Sequence, residues 1–150
     1  RVFIKRISEE YIRATRYTYD TSLLMIDIDH FKKVNDQFGH NVGDDVLVFL
    51  AKLLKNNLRN TDYACRWGGE EFLVLFPHTS LSAALEISNR ILSECNHSKI
   101  KALKQTLNIT FSGGVTTLNK HPSFNDAIIE ADSFLYLAKD KGRNQIISGN

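Results

Sequence analysis

The chain has 150 residues, of which 43% are hydrophobic and 24% are charged. This length and composition fit one globular domain with enough apolar chain for a substantial core. The formal net charge of +2 excludes a protein that is held to nucleic acid or an acidic membrane by bulk charge. No apolar run is long enough to span a bilayer, and no segment resembles a signal peptide. We therefore expect a cytoplasmic domain that itself contacts neither nucleic acid nor a membrane.

The two cysteines, Cys65 and Cys95, lack the spacing of a metal site. Their number and positions favour buried free thiols in a reducing compartment over a disulfide scaffold. The sequence begins with Arg1-Val2-Phe3-Ile4 and has no initiator methionine. We expect residues 1–150 to be a single domain cut from a longer protein, whose other domains and any membrane anchor lie outside this piece.

Hydrophobic periodicity predicts alternating helices and strands, because apolar residues recur at helical spacing in some segments and at alternate positions in others. The predicted order is helix 2–18, strand 22–28, helix 31–38, a long helix opening at 41–44, hairpin 63–76, a helix after Ser80, strand 107–115, helix 124–140 and strand 144–147. The polar segment 96–106 is predicted to be a loop. The βαββαβ core is typical of a ferredoxin-like α+β fold, with helices on one side of a mainly antiparallel sheet.

The turn of the hairpin lies in the run Arg66-Trp67-Gly68-Gly69-Glu70-Glu71-Phe72, and we expect its two glycines to supply unusual backbone angles. Glu70 and Glu71 repel one another, and such a pair becomes useful when a divalent cation lies between its members. Asp27 and Asp29 end the first strand, where alternation places them on the same side. With Asp27 and Glu70 on adjacent strands, the sequence predicts an oxygen-ligand site for Mg²⁺.

The two aspartates also have ordinary interpretations. Asp29 fits the N-cap of the helix that begins near His30, and we predict that this is its main role. Asp27 is alternatively a hydrogen-bonded core carboxylate, which is the less common outcome for an acidic residue in an apolar strand.

Gly68-Gly69-Glu70-Glu71-Phe72 resembles the signature of the GGDEF domain, the diguanylate cyclase catalytic domain, in its Gly-Gly-Glu-Glu-Phe form. Further motifs follow in the family's order: Asp27-Ile28-Asp29-His30-Phe31-Lys32, Asn35-Asp36-Gln37-Phe38-Gly39-His40, Gly43-Asp44-Asp45-Val46-Leu47, Ala131-Asp132 and Ala138-Lys139-Asp140-Lys141-Gly142-Arg143-Asn144. The resemblance covers nearly the whole chain. It implies a fold like nucleotidyl cyclases and the polymerase palm, with helices around the sheet. It also implies a homodimer that condenses two GTP into cyclic di-GMP and releases two pyrophosphates.

The resemblance implies roles for residues at the catalytic centre. Asp27, Glu70 and the carbonyl of Ile28 would hold two Mg²⁺ or Mn²⁺ ions in each half-site. Glu71 would assist deprotonation of the ribose 3′-hydroxyl or complete the shell of the second metal. Alternatively, Glu71 only tunes the local field.

By the same resemblance, Asn35 and Asp44 would read guanine. A carboxylate accepts from the N1–H and N2–H donors of guanine together, and an amide pairs with the remaining edge, so GTP is favoured over ATP. The ordinary alternatives are a residue near a helix end and an acid in the first turn of a helix. The other implied contacts to GTP are the backbone amides of His30 and Phe31, the side chains of Lys32 and Leu47, the glycines Gly68 and Gly69, and the triphosphate ligands Lys139 and Arg143.

Three of these contacts also have ordinary alternatives. Leu47 is equally well explained as a core leucine. Lys139 and Arg143 lie where a helix ends, and cations are favoured there by the helix dipole even without a ligand.

Arg59-Asn60-Thr61-Asp62 matches the family's inhibitory Arg-x-x-Asp motif, and Arg90 falls where a further product-binding arginine is expected. The implied function is feedback inhibition, in which bound cyclic di-GMP holds two domains apart or misaligned. The alternative is a surface ion pair at the end of a helix.

The chain departs from the family at its start, because the usual Asp-x-Leu-Thr-Gly-Leu-x-Asn-Arg motif is absent. We therefore expect an N-terminally truncated GGDEF domain, separated from its sensor domain, that binds or turns over GTP poorly. Gly114 replaces a bulky residue and is expected to loosen local packing. The intact signature favours an active diguanylate cyclase over an inactive module that binds GTP or cyclic di-GMP, and Asp44 argues against ATP.

Overall fold

The computed structural model describes residues 2–102 and 105–149. Five helices alternate with strands much as the hydrophobic periodicity predicts. The elements are α1 (Val2–Tyr17), β1 (Ser22–Ile28), α2 (Phe31–Phe38), α3 (His40–Asn57), β2 (Tyr63–Arg66), β3 (Glu71–Phe76), α4 (Leu81–Asn96), β4 (Ile100–Ala102), β5 (Gln105–Leu107), β6 (Phe111–Thr117), α5 (Phe124–Asp140) and β7 (Ile146–Ser148).

The central sheet has five strands in the order β2-β3-β1-β6-β7. Strand β1 lies in the middle and runs antiparallel to β3 on one side and to β6 on the other. Strand β2 continues the antiparallel pairing next to β3, and β7 runs parallel to β6. The predicted α+β fold with a mainly antiparallel sheet and a βαββαβ core is confirmed.

Helices cover both faces of this sheet, as the resemblance implies, so the separate expectation that they lie on one side is wrong. Leu24 and Ile26 of β1 pack in a cluster with residues of α3 and α4. Leu23 and Met25 point to the opposite face and pack in a second cluster with residues of α1 and α5. The uninterrupted apolar run of β1 is the physical reason, because a strand with one solvated face would carry polar residues at alternate positions.

Gly114 tightens the packing of α5 on the sheet, which contradicts the expectation of looser packing. A Cβ atom built on Gly114 would lie 2.6 Å from the backbone nitrogen of Leu135 and 2.9 Å from the Cβ of Phe134. It would lie closer still to the carbonyl oxygen of Ala131. The missing side chain therefore lets α5 rest directly on β6.

The polar segment 96–106 was predicted to be a loop, but part of it forms strands. Strands β4 and β5 pair antiparallel within it, and residues 103–104 lie outside the described part. Ile100 and Leu107 anchor this hairpin in the core, and two apolar side chains in a polar stretch give little signal in the sequence. Strand β6 begins at Phe111 rather than at 107, and β7 begins at Ile146 rather than at 144.

Both cysteines are free thiols, as predicted, but Cys65 is only half-buried, so the expectation that both are buried is wrong for Cys65. Cys95 is buried, and burial raises the pKa of its thiol to about 12. Among the helices of residues 2–102 and 105–149, none has the length and apolar character needed to cross a membrane.

Candidate active site

Three acidic side chains meet at one end of the central sheet. In the antiparallel pairing of β1 with β3, Asp27 lies directly opposite Glu71. The backbone N–H of Ile28 donates to the carbonyl of Glu70 at 3.3 Å, which extends the pairing one residue beyond β3. The structure thus brings together the three residues to which the sequence assigns metal binding and catalysis.

Burial and neighbouring negative charge disfavour the charged forms of the two glutamates. Burial, followed by the charge of Asp27 and a hydrogen bond with it, raises the pKa of Glu70. Burial and the charges of Asp27 and Asp132 raise the pKa of Glu71. A divalent cation at this position would offset the repulsion.

Lys139, from the last turn of α5, places its ammonium group inside this cluster. Its Nζ lies 2.8 Å from Asp27 Oδ1 and 2.9 Å from Asp29 Oδ1. The backbone carbonyl oxygens of Asp27 and Ile28 are each 3.4 Å away. The ammonium group of Lys139 is therefore surrounded by four oxygen atoms. Lys139 is thus not simply a solvated cation at the end of a helix.

The donor set at this position fits a hard divalent cation. Carboxylate and carbonyl oxygens are the ligands that Mg²⁺ prefers. Among the described residues, no group of three His, Cys, Asp or Glu side chains is arranged to hold a metal ion. Because Mg²⁺ commonly binds one or two carboxylates and takes its remaining ligands from water and substrate phosphates, the residues fit an ion shared with a triphosphate.

Asp29 is not the N-cap of the following helix, which corrects its predicted role. The N-cap residue of α2 is His30, which has a left-handed backbone (φ 56°) and no side-chain capping hydrogen bond. The first backbone amides of α2, including that of Phe31, are therefore left without a side-chain cap. Uncapped amides at a helix N-terminus suit an anionic ligand, which is the predicted role of this segment.

Asp29 instead joins β1 to two distant segments. It accepts hydrogen bonds from the hydroxyls of Thr110 and Ser112, both at 2.6 Å, and from the backbone N–H of Asn144 at 3.0 Å. Burial alone would raise the pKa of Asp29, but the bonds from Ser112, Thr110 and Lys139 together lower it. The alternating hydroxyls of Thr110 and Ser112 were the signal in the sequence that could have revealed this partner.

An open cleft of about 420 Å³ lies beside the acidic cluster. It is lined by Phe31, Lys32, Asn35, His40, Asp44, Leu47, Arg66, Gly69 and Glu70. Seven of these nine residues are among the predicted substrate or metal contacts, and the other two, His40 and Arg66, had no predicted role. The cleft therefore joins the residues predicted to read the base to one of the predicted metal ligands.

The residues predicted to read the base differ in their exposure. Asp44 is exposed and lies one residue past the first turn of α3, so the helix dipole explains its position poorly. Asn35 is half-buried, and its Oδ1 has no hydrogen-bond partner among the described residues. Leu47 is buried in the core and also lines the cleft wall, so its core role is confirmed and its contact with the base stays a prediction.

The glycine turn does not use the unusual backbone angles that were predicted, since neither Gly68 nor Gly69 has a positive φ. The turn is closed by a bond from Trp67 N–H to the Glu71 carbonyl (2.7 Å) and by bonds from Arg66 Nε to the carbonyls of both glycines. A Cβ on Gly68 would lie 2.8 Å from Glu71 Oε1, whereas one on Gly69 would meet nothing within 4 Å. The absence of a side chain at Gly68 therefore leaves room for the carboxylate of Glu71.

Arg143 lies outside the cleft, exposed in the loop that follows α5. It has a left-handed backbone (φ 65°), as does Asn144 (φ 51°). The bond from Asn144 to Asp29 ties this loop to the acidic cluster, so Arg143 borders the site.

A profile of the family described as "Diguanylate cyclase, GGDEF domain" matches residues 1–145. The chain belongs to the GGDEF domain family. Diguanylate cyclase A of Treponema denticola is 44% identical over 126 residues, which cover 83% of this chain and 34% of that protein. This GGDEF domain thus spans about a third of the length of that relative.

Solved GGDEF domains share the fold. The active GGEEF domain of a diguanylate cyclase from Vibrio cholerae superimposes with a TM-score of 0.91 at 33% identity, covering 97% of this chain and 93% of that one. The GGDEF domain of DgcB from Caulobacter crescentus, in complex with cyclic di-GMP, gives a TM-score of 0.92 at 29% identity, covering 97% and 87%.

A larger groove of about 640 Å³ lies between α3 and the edge strand β2 of this GGDEF domain, and Arg59 and Asp62 line it. Arg59 Nη2 donates to Asp62 Oδ1 at 2.8 Å, to the Pro77 carbonyl at 2.9 Å and to Thr79 Oγ1 at 2.7 Å. The Asp62 side chain is only 1% exposed, so the pair is more than a surface ion pair. Arg90 is exposed and donates to the carbonyl of Asn57 at the end of α3.

Proposed function

We propose that this chain is the catalytic domain of a diguanylate cyclase, which condenses two GTP into cyclic di-GMP and releases two pyrophosphates. One observation carries the proposal. Asp27, Glu70 and Glu71 crowd together with raised glutamate pKa values. The cleft that reaches Glu70 also holds Asn35 and Asp44, which suit a guanine base.

In the proposed reaction, each ribose 3′-hydroxyl attacks the α-phosphorus of the other GTP. A new phosphorus–oxygen bond forms, the bond to the β-phosphate oxygen breaks, and pyrophosphate leaves with the bonding electrons. Each hydroxyl loses one proton. The raised pKa of Glu71 and its place opposite Asp27 support a role in accepting that proton, with completion of the second metal's shell as the alternative.

Asp27, Glu70 and the carbonyl of Ile28 would hold the metal ions, two Mg²⁺ or Mn²⁺ in each half-site. Bound there, the ions would neutralise the triphosphate and make the 3′-hydroxyl more acidic. Lys139 already places a positive charge beside Asp27 and suits a contact with a phosphate oxygen.

The remaining contacts would orient the nucleotide. Asp44 would accept from the guanine N1–H and N2–H groups, and Asn35 would pair with the remaining edge. Further contacts to the nucleotide would come from the backbone amides of His30 and Phe31 and from Lys32, Leu47, Gly68, Gly69 and Arg143. The uncapped N-terminus of α2 supports the amide contacts.

Catalysis is proposed to require a homodimer, because each cleft would hold one GTP and each GTP must meet the other. The test is to measure cyclic di-GMP formation from GTP and Mg²⁺ at increasing chain concentration, with ATP as the control nucleotide. We expect the rate per chain to rise with concentration and ATP to give no cyclic product. A constant rate per chain over concentrations at which size-exclusion chromatography shows only a monomer would contradict the dimer, and equal use of ATP would contradict the assignment of Asp44.

Product inhibition is proposed to act through Arg59, Asp62 and Arg90. The cyclic di-GMP complex of the DgcB GGDEF domain supports this proposal by similarity. Arg59 is a poor test residue, because its bonds to Asp62 and to the Pro77 carbonyl also hold the fold. Arg90 is the better choice, because it is exposed and its hydrogen bond to the Asn57 carbonyl is long, at 3.4 Å.

We expect Arg90→Ala to raise the cyclic di-GMP concentration that gives half-inhibition by about tenfold or more, because it removes a charged donor to the product. The melting temperature should stay near that of the wild type, since exposed side chains contribute little to stability. Inhibition curves on an active preparation give the measurement, and Arg16→Ala, another exposed arginine, is the control. An unchanged curve for Arg90→Ala would contradict its place in the inhibitory site.

A further inference from the structure

Gly43 lies in the first turn of α3, immediately before Asp44, and it is buried. A Cβ atom built on Gly43 would lie 2.9 Å from Cγ of Asn35 and would overlap its Oδ1. The next nearest atom, Cζ of Phe31, is 3.3 Å from the same position. The carboxamide of Asn35 thus occupies the space that a side chain at position 43 would need.

The backbone gives no other reason for a glycine at this position. Gly43 has no positive φ, and its N–H makes an ordinary helical bond to the carbonyl of Gly39 at 3.2 Å. Within a helix, glycine is less favourable than alanine. The close approach of the Asn35 side chain is therefore the feature that requires the glycine.

Packing holds the Asn35 carboxamide against Gly43. Its Oδ1 is buried and lacks a hydrogen-bond partner within residues 2–102 and 105–149. An oxygen that makes no hydrogen bond gives the side chain no directional anchor, so the shape of the surrounding surface sets its position. That surface is formed by Gly43 of α3 and Phe31 of α2.

We propose that Gly43 is a positioning residue for base selection. By leaving space against α3, it lets the Asn35 carboxamide rest beside Asp44, so that both side chains face one base in the cleft. A methyl group at position 43 displaces the carboxamide and removes its contribution to guanine recognition. The inference rests on the proposed function, because it takes guanine as the base that Asn35 and Asp44 read.

The test compares the binding of 3′-deoxy-GTP and 3′-deoxy-ATP by titration calorimetry in the presence of Mg²⁺. Both nucleotides lack the attacking hydroxyl, so binding is measured without turnover. The proteins are the wild type, Gly43→Ala, Asn35→Ala and the double variant. We expect Gly43→Ala to weaken the binding of 3′-deoxy-GTP by about tenfold. The binding of 3′-deoxy-ATP should stay nearly unchanged, because the triphosphate contacts remain.

The double variant separates positioning from a general effect on packing. With the carboxamide removed by Asn35→Ala, adding Gly43→Ala should change 3′-deoxy-GTP binding less than about twofold and should raise the melting temperature, since alanine favours the helix. An equal loss in both backgrounds would overturn the inference, as would an unchanged guanine preference in Gly43→Ala. A wild type that prefers 3′-deoxy-GTP but forms no cyclic di-GMP from GTP would defeat the proposed activity alone. A wild type without guanine preference would overturn this inference.

Discussion

Glu70→Gln is expected to reduce cyclic di-GMP formation by about 10³-fold or more, because a neutral amide is a poor ligand for a divalent cation. The same substitution should not lower stability. Burial and the charge of Asp27 raise the pKa of Glu70, so its charged form opposes folding at neutral pH. Gln removes that charge at nearly constant volume, and we expect an equal or slightly higher melting temperature. Product formation and thermal unfolding are measured on the same preparation.

The matched control is Glu86→Gln, which makes the same chemical change on the exposed side of α4. It should leave both activity and melting temperature unchanged. Full activity in Glu70→Gln would contradict the assignment of a metal ligand. A loss of activity accompanied by a clear fall in melting temperature would point to a structural role for Glu70 instead.

Gly114→Ala is expected to destabilise the fold by about 3 kcal/mol or more, because the added methyl group meets backbone atoms that cannot move independently. The new Cβ would lie 2.6 Å from the Leu135 nitrogen and closer to the Ala131 carbonyl, so α5 must shift as a body. That shift would also move Lys139 away from Asp27. Urea unfolding followed by circular dichroism measures the change in the free energy of unfolding.

Gly69→Ala is the control for this experiment, since a Cβ at that position meets nothing within 4 Å and the backbone there has no positive φ. It should change the free energy of unfolding by less than about 0.5 kcal/mol. If Gly114→Ala unfolds at the same urea concentration as the wild type, α5 does not rest on β6 as described.

Glu70→Gln and Gly114→Ala should change the stability of the fold in opposite directions. Asp27, Glu70 and Glu71 form a cluster that favours a bound cation over a stable empty site, and Lys139 offsets only part of the repulsion. Removing one of these charges reduces the repulsion in the folded state and lowers the cyclase activity. Gly114 contributes packing and no polar group, so its replacement lowers stability first.

Local sequence patterns predicted most of the elements. Strand 22–28 and helices 31–38 and 124–140 match the structure residue for residue, because apolar patterning defines each segment and glycine marks the end of both helices. Alternation along a strand also predicted that Asp27 and Asp29 lie on one side, and Lys139 contacts both. The β4–β5 hairpin was missed because each of its strands has only three residues, which is too short for a periodic pattern to be recognised.

The errors at the site come from contacts between residues distant in the sequence. Asp29 fits an N-cap on local grounds, but its partners Thr110 and Ser112 lie more than 80 residues away along the chain. The effect of Gly114 on packing depends on how closely α5 approaches the sheet, and the composition of one strand does not reveal that distance. The conformation of Gly68 and Gly69 was inferred from residue type, whereas the turn is closed by Arg66 without positive φ angles.

The most direct test of the central claim is mass spectrometry of nucleotides, on the purified chain before and after incubation with GTP and Mg²⁺ at high protein concentration. We expect new cyclic di-GMP and two pyrophosphates for each molecule formed, and we expect neither product when the metal is removed with EDTA. Cyclic di-GMP already bound before GTP is added would agree with a product site near Arg59. Bound GTP with no product under these conditions, also in an N-terminally extended chain, would contradict the proposed cyclase activity and indicate a module that binds nucleotide without catalysis.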